Sequence, residues 1–288
     1  MLRPADYVEE VVPSPPIFTR ADYVRLLDGF DVAVCEAIAV SQGAANRLAP
    51  PHQGYGTHVF VGICTAAMAM IRAVPLSRWV RSDFQQWAFG AIAPHARAII
   101  EGHILLAYLM EVPAKEAEWS AKLNVMHLND CTRRITLHTN IGADDEVAGF
   151  FQHAEELKAK LRENSFFSSL PANVQRRCLE GDSPMIPSRS EMLDKLEWDR
   201  GHFRAIFDLL SQYAHILPIS FYRIEPNGRG TGLENPTDRG YMCLAFEICT
   251  EVLTRCTDAI VDAFPDTIVR RQDKKSRFSP GPRGNLPR

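Results

Sequence analysis

Apolar residues recur along this chain at spacings of three and four, and no stretch alternates with period two. That pattern predicts helices and no sheet. Thr19 is placed to cap a first helix, with Asp22 where a carboxylate favours a helix start. Leu26, Leu27, Phe30, Val34, Ala37 and Ile38 carry that helix to about residue 47, where Pro50 and Pro51 stop it. A second helix is predicted over 56–73, closed by Pro75. Residues 83–112 follow, with Pro94 imposing a kink or a fresh start and Pro113 ending the run. Helix 114–139 places Trp119, Leu123, Met126, Ile135 and Leu137 on its buried side. Helix 145–163 carries a solvated face of Glu155, Glu156, Lys158 and Lys160. Three prolines in 164–189 predict short helical turns. Ser190 reads as the N-cap of a helix that breaks at Gly201, resumes, and ends at Leu217 before Pro218. The final helix, 241–264, buries Leu244, Ile248, Val252, Ala259 and Ile260. No internal repeat is visible. The expected fold is an all-α bundle of about seven to eight helices around a buried central one. An extended arm (1–18) precedes a single helical domain (19–264), and a disordered basic tail (265–288) follows.

The central stretch sharpens the picture. Between Phe84 and Met110 the only charged residues are Arg97 and Glu101. A helix apolar on every side is enclosed by others, and Arg or Glu is rarely buried unpaired. Arg preceding Glu is also the weaker order for an exposed pair. The expectation is therefore a buried ion pair. A second polar stripe, Arg204, Asp208, Ser211 and His215, advances in steps of four, three and four along one helix face. Ser211 and His215 are expected to meet Arg97 and Glu101 across a helix interface. Arg204 and Asp208 are weaker candidates, since the same stripe reads equally as a solvated face. A carboxylate beside His215 would favour its charged form and an arginine would oppose it.

Composition changes little. The chain is 46% hydrophobic and 23% charged with net charge −3, the profile of a soluble globular protein. Charge is uneven, because residues 270–288 hold seven Arg or Lys against one Asp. The seven cysteines show no Cys-x-x-Cys spacing and read as small core residues in a reducing cytoplasm. The polar start MLRPADYVEEVV does not resemble a signal peptide. Residues 53–71 are about long enough to span a bilayer, but His58 and the abundance of Ala, Gly and Thr favour a buried helix and no membrane.

Two short motifs carry a resemblance. RAIIE (Arg97 to Glu101), followed by Tyr108, and LLSQYAH (Ser211 to His215) resemble the bacterial all-helical family catalogued as domain of unknown function 5677. The resemblance implies an all-helical fold and four matching polar positions. It implies no activity.

Other chemistry finds less support. The chain has no Glu-x-x-His for a di-iron bundle. Asp199-x-x-His202 and His127-x-x-Asp130 read as local pairs. There is no P-loop, no GxGxxG after a strand and no Gly-x-Ser-x-Gly, so neither metal nor cofactor is expected. GRGTG, within the glycine- and proline-rich loop 223–240, lacks a preceding strand. Helical ribonucleases of the HEPN type use an Arg followed by His after four to six residues. Three such spacings occur (Arg97/His103, Arg133/His138, Arg47/His52), where about two are expected by chance from 25 arginines and nine histidines. Arg133 and His138, on a long predicted helix, are the best placed. Three functions follow as expectations. The first is a helical protein whose Arg97/Glu101/Ser211/His215 cluster is structural or binds a small polar ligand. The second is metal-independent RNA cleavage, with His138 or His215 as general base beside an arginine. The third is a partner-binding module in a bacterial defence or regulatory system. The basic tail could touch nucleic acid, although Phe278 is its only aromatic.

Overall fold

The structure, a computed structural model, describes residues 18–222 and 228–277, with backbone alone at 144–146. The sequence reading of an arm over 1–18 lies almost wholly outside the described residues. So does the end of the tail, 278–288.

Among the described residues the chain is helical and has no strand. In order the helices are α1 (Arg20–Ala44), α2 (Pro51–Ala73), α3 (Ala93–Met110), α4 (Glu116–Ile141), α5 (Asp144–Glu163), α6 (Ser165–Ser168), α7 (Ala172–Glu180), α8 (Arg189–Lys195), α9 (Arg200–Ala214), α10 (Pro218–Phe221) and α11 (Pro236–Ala263). Their boundaries follow the local chemistry. Thr19 and Asp22 form a reciprocal capping box at the start of α1. Pro94 opens α3 afresh after a 3₁₀ turn at Phe89–Ala91, so 83–112 is not one helix. Ser188, rather than Ser190, caps α8, through a capping box with Glu191. The break before α9 comes at Glu197, whose φ is 57°, ahead of Gly201. α11 begins at Pro236, five residues earlier than expected, because Asn235 accepts from the Asp238 amide at 2.8 Å and proline suits the first turn.

The chain groups into two compact units, each assembled from separated segments; the sequence reading of one domain over 19–264 drew no such division. The first comprises, of the described residues, 18–45, 61–100, 206–222 and 228–277. Its core is α1 against α11. Phe246 stacks on Phe30 at 5.7 Å and meets Tyr23 edge-on at 5.4 Å. Tyr23, fully buried, donates its hydroxyl to the Pro75 carbonyl at 2.9 Å, satisfying the one polar atom of an otherwise apolar contact. Asp31, also buried, accepts from Arg78 Nη2 at 2.9 Å and Trp79 Nε1 at 2.7 Å, which ties the segment after α2 to α1. Residues 265–277, read from sequence as tail, pack on this unit. A 3₁₀ turn spans Pro265–Arg270, Thr267 is fully buried, and Arg271 reaches Glu36 at 2.8 Å and also pairs with Asp258. Two of the basic residues of that segment, Arg271 and Lys274, are matched by carboxylates on α1 and α11.

The second unit comprises residues 46–60 and 101–205. α4 and α5 form its spine, with Ala121, Val125, Leu128 and Cys131 facing Ala154, Leu157 and Leu161 in one cluster closed by Phe167 and Cys178. The predicted face of α4 holds in part: Ile135 packs against this cluster, whereas Leu137 is 57% exposed and Lys122 is buried. Lys122 is neutralised by Glu111 at 3.1 Å and Glu118 at 3.3 Å, and lies 5.1 Å from the centre of the Tyr108 ring. All seven cysteines are buried. Among the described residues α2 is the one helix long and apolar enough to cross a membrane, and 39% of its most apolar window is buried.

Candidate functional site

The four principal candidates divide between the two units. In the first, Arg97 on α3 places Nη1 3.0 Å from His215 Nε2, immediately beyond the end of α9. Arginine can only donate, so Nε2 accepts and the neutral ring carries its proton on Nδ1. The Arg97 guanidinium also lies 4.6 Å from the centre of the Phe207 ring, two turns earlier on α9. Ser211 does not join them. Its hydroxyl donates to the Phe207 carbonyl of its own helix at 2.6 Å, a common resort of mid-helix serine. A base role for His215 would require release of Nε2 from Arg97.

In the second unit, Glu101 faces Arg189 at 3.4 Å, with 41% of its side chain exposed. The expected enclosure of Arg97 and Glu101 is corrected: Arg97 is half-buried and bonded to a histidine, and Glu101 is a partly solvated carboxylate beside Arg189. The turn carrying both residues is only half covered, which the run of apolar neighbours conceals. Arg204 and Asp208 are exposed. Arg133 donates to the Asp182 carbonyl at 3.2 Å, while His138 stacks on Phe150 at 5.4 Å. Each thus has a local partner of its own. Asp199 accepts from the His202 amide at 2.6 Å, a helix-start bond.

The feature that sequence reasoning passed over is a cleft of about 230 Å³ in the first unit. Trp87, Phe89, Tyr213 and Ile216 give it apolar sides. Gln86, Ser220, Arg229 and Asp238 supply polar groups, and Gly90, Gly230 and Gly232 supply bare backbone. The loop segment GRGTG forms one side because Gly228, Gly230 and Gly232 all adopt positive φ (75°, 76° and 79°), a conformation costly for other residues. The Trp87 amide donates to the Gly232 carbonyl at 2.8 Å and fixes the loop there. Arg229 then turns inward. Its Nη2 donates to the Tyr213 hydroxyl at 2.5 Å and to Asp238 Oδ1 at 3.3 Å, and its guanidinium lies 5.6 Å from the Tyr241 ring centre. Its Nε is buried without a hydrogen-bond partner. Burial pushes the Tyr213 hydroxyl above its ordinary pKa, with Arg229 opposing, so Tyr213 is a neutral phenol at physiological pH. The Asp238 carboxylate accepts from Asn235 Nδ2 at 2.7 Å through its second oxygen. A signal was present in the sequence: an arginine between glycines, six residues before the Asn-Pro-x-Asp that starts α11.

Among the described residues no cluster of three His, Cys, Asp or Glu is arranged to hold a metal. Comparison with family models, with curated proteins and with solved structures found no match to this chain.

Proposed function

We propose that this chain is a helical protein that binds a small molecule, and that the cleft beside Arg229 is its site. The observation that carries the reading is the lining itself. Aromatic and aliphatic sides surround a few fixed polar groups, the composition of small-molecule sites in general. Arg229 is held in place by Tyr213 and Asp238 before any ligand arrives, so binding orders little. Arg97 and His215 belong to the same reading as positioning residues. Their contact holds the end of α9, the helix that carries Tyr213, and Ile216 follows His215 directly. The resemblance noted from sequence supplies no reaction to set against this. Seven buried free cysteines fit a reducing compartment such as the cytoplasm.

Thermal unfolding of the full chain against a set of small neutral and charged ring compounds tests the reading. A ligand at about 100 times its Kd adds about 2.7 kcal/mol to stability. The expected result is a raised midpoint with at least one compound, lost in Gly90→Leu. A β-carbon at Gly90 has room, with Tyr213 at 3.9 Å, and the longer side chain fills the cleft. Stabilisation that is unchanged in Gly90→Leu, or absent throughout the set, refutes the site.

A further inference from the structure

The size, aromatic character and charge of the cleft together narrow what it can take; the inference rests on the ligand-binding reading above. A volume of about 230 Å³ is roughly eight waters' share of liquid volume. It lies below the usual range for drug-sized ligands, so the occupant is one ring with a substituent rather than a nucleotide. Trp87 and Phe89 are nearly fully buried, and Phe89 meets Tyr213 edge-on at 4.9 Å. Such surroundings favour a flat ring, which gains from offset or edge-to-face contact.

Charge decides the substituent. Among the described residues the charged ones lining the cleft are Arg229 and Asp238. They pair at 3.3 Å with side chains only 13% and 7% exposed, so each already offsets the other's charge. A carboxylate ligand would bring a second negative charge beside Asp238, and an ammonium would bring a second positive charge beside Arg229. Either leaves one charge without a counter-charge in a partly dry site. Donor capacity does remain, because both hydrogen bonds of Arg229 leave from Nη2 and Nη1 takes no part in either. We propose that the cleft binds an uncharged planar ring carrying a carbonyl acceptor, a lactam or carboxamide, with that oxygen on the Arg229 guanidinium.

Titration calorimetry of the full chain with nicotinamide, nicotinate and benzylamine tests it, since the three share a six-membered ring and differ in charge. Nicotinamide is expected to bind about tenfold or more tighter than either charged probe, and Gly90→Leu is expected to weaken it by a similar factor. If Gly90→Leu fails to fold, Ser220→Phe closes the cleft from α10 and makes the same test. Tighter binding of nicotinate or benzylamine overturns the ligand class and leaves the cleft standing. Nicotinamide binding unmoved by either cleft-filling variant overturns the assignment of its site. Failure of all three probes, where other ring compounds still raise the unfolding midpoint, sinks the carbonyl class but not the ligand-binding reading.

Discussion

Asp31 shows how one carboxylate can hold a segment that has little helix of its own. Arg78 bonds it through Nε and Nη2, Trp79 through its indole, and Cys35 through its thiol at 3.5 Å. Burial acts to raise its pKa, but these donors together outweigh burial and hold the carboxyl below the ordinary range. A carboxylate depressed in the fold stabilises fully above its unfolded pKa, about 4, and loses that contribution as pH falls through its folded value. Asp31→Asn should therefore cost about 2 kcal/mol at neutral pH, with the gap to wild type shrinking toward pH 3 in urea unfolding. Glu101→Ala, which removes a carboxylate whose side chain is 41% exposed, should cost under about 1 kcal/mol in the same series. Equal midpoints for Asp31→Asn and wild type would refute the first. The contrast shows what was legible. Helical spacing puts Arg97 and Glu101 on one face, but it cannot say how far that face is covered. The two polar stripes did point to a meeting of Arg97 with His215, 118 positions apart, but not to Ser211 turning to its own backbone.

Helix ends were the most legible elements where proline or a cap residue marks them, as at Thr19, Pro94 and Pro113. They were missed where the same signals sat in a stretch rich in glycine. Asn235, Pro236 and Asp238 form an N-cap, a first-turn proline and an acidic third position, yet the neighbouring glycines made them look like loop. The C-terminal caps of α4 and α7 give a direct comparison. Gly142 and Gly181 have φ of 73° and 77°, but a β-carbon at Gly142 meets nothing within 4 Å, whereas at Gly181 it meets Thr132 Cγ2 at 2.5 Å. Thr132 also donates to the Gly181 carbonyl at 2.8 Å, so it cannot withdraw without losing that bond. Gly142→Ala should cost about 1 kcal/mol from backbone strain alone. Gly181→Ala should cost about 1–3 kcal/mol more from overpacking. Chemical denaturation of the two variants side by side decides it, and equal costs would mean that the Thr132 contact carries no weight.

At the scale of the whole chain, the helical class was plain because period 3.6 is a local property. The grouping into two units was not, since each unit gathers segments far apart in sequence and periodicity is silent on which helices meet. The segment after Phe264 makes the same point. Its charge suggested a solvated end, but Arg271 with Glu36, Lys274 with Asp28 and the buried Thr267 bind it to the first unit. Gly43 on α1 is part of that fit, since a β-carbon there would lie 2.7 Å from the Arg270 side chain. Ending the chain at Phe264 should lower stability by about 2 kcal/mol or more, because Glu36 loses a charged partner at a largely covered position. Unaltered thermal unfolding of the shortened chain would show that these contacts contribute nothing.

The buried thiols have a practical corollary. Burial raises the pKa of Cys64 and Cys243 to about 12 and that of Cys35, further opposed by Asp31, to about 11. An alkylating reagent attacks the thiolate, so these sulfurs are silent toward it for as long as the helices around them stay closed. Each cysteine thereby becomes an intrinsic clock for breathing of its own neighbourhood: Cys249 and Cys256 time the release of α11, Cys131 and Cys178 that of α4 and α7.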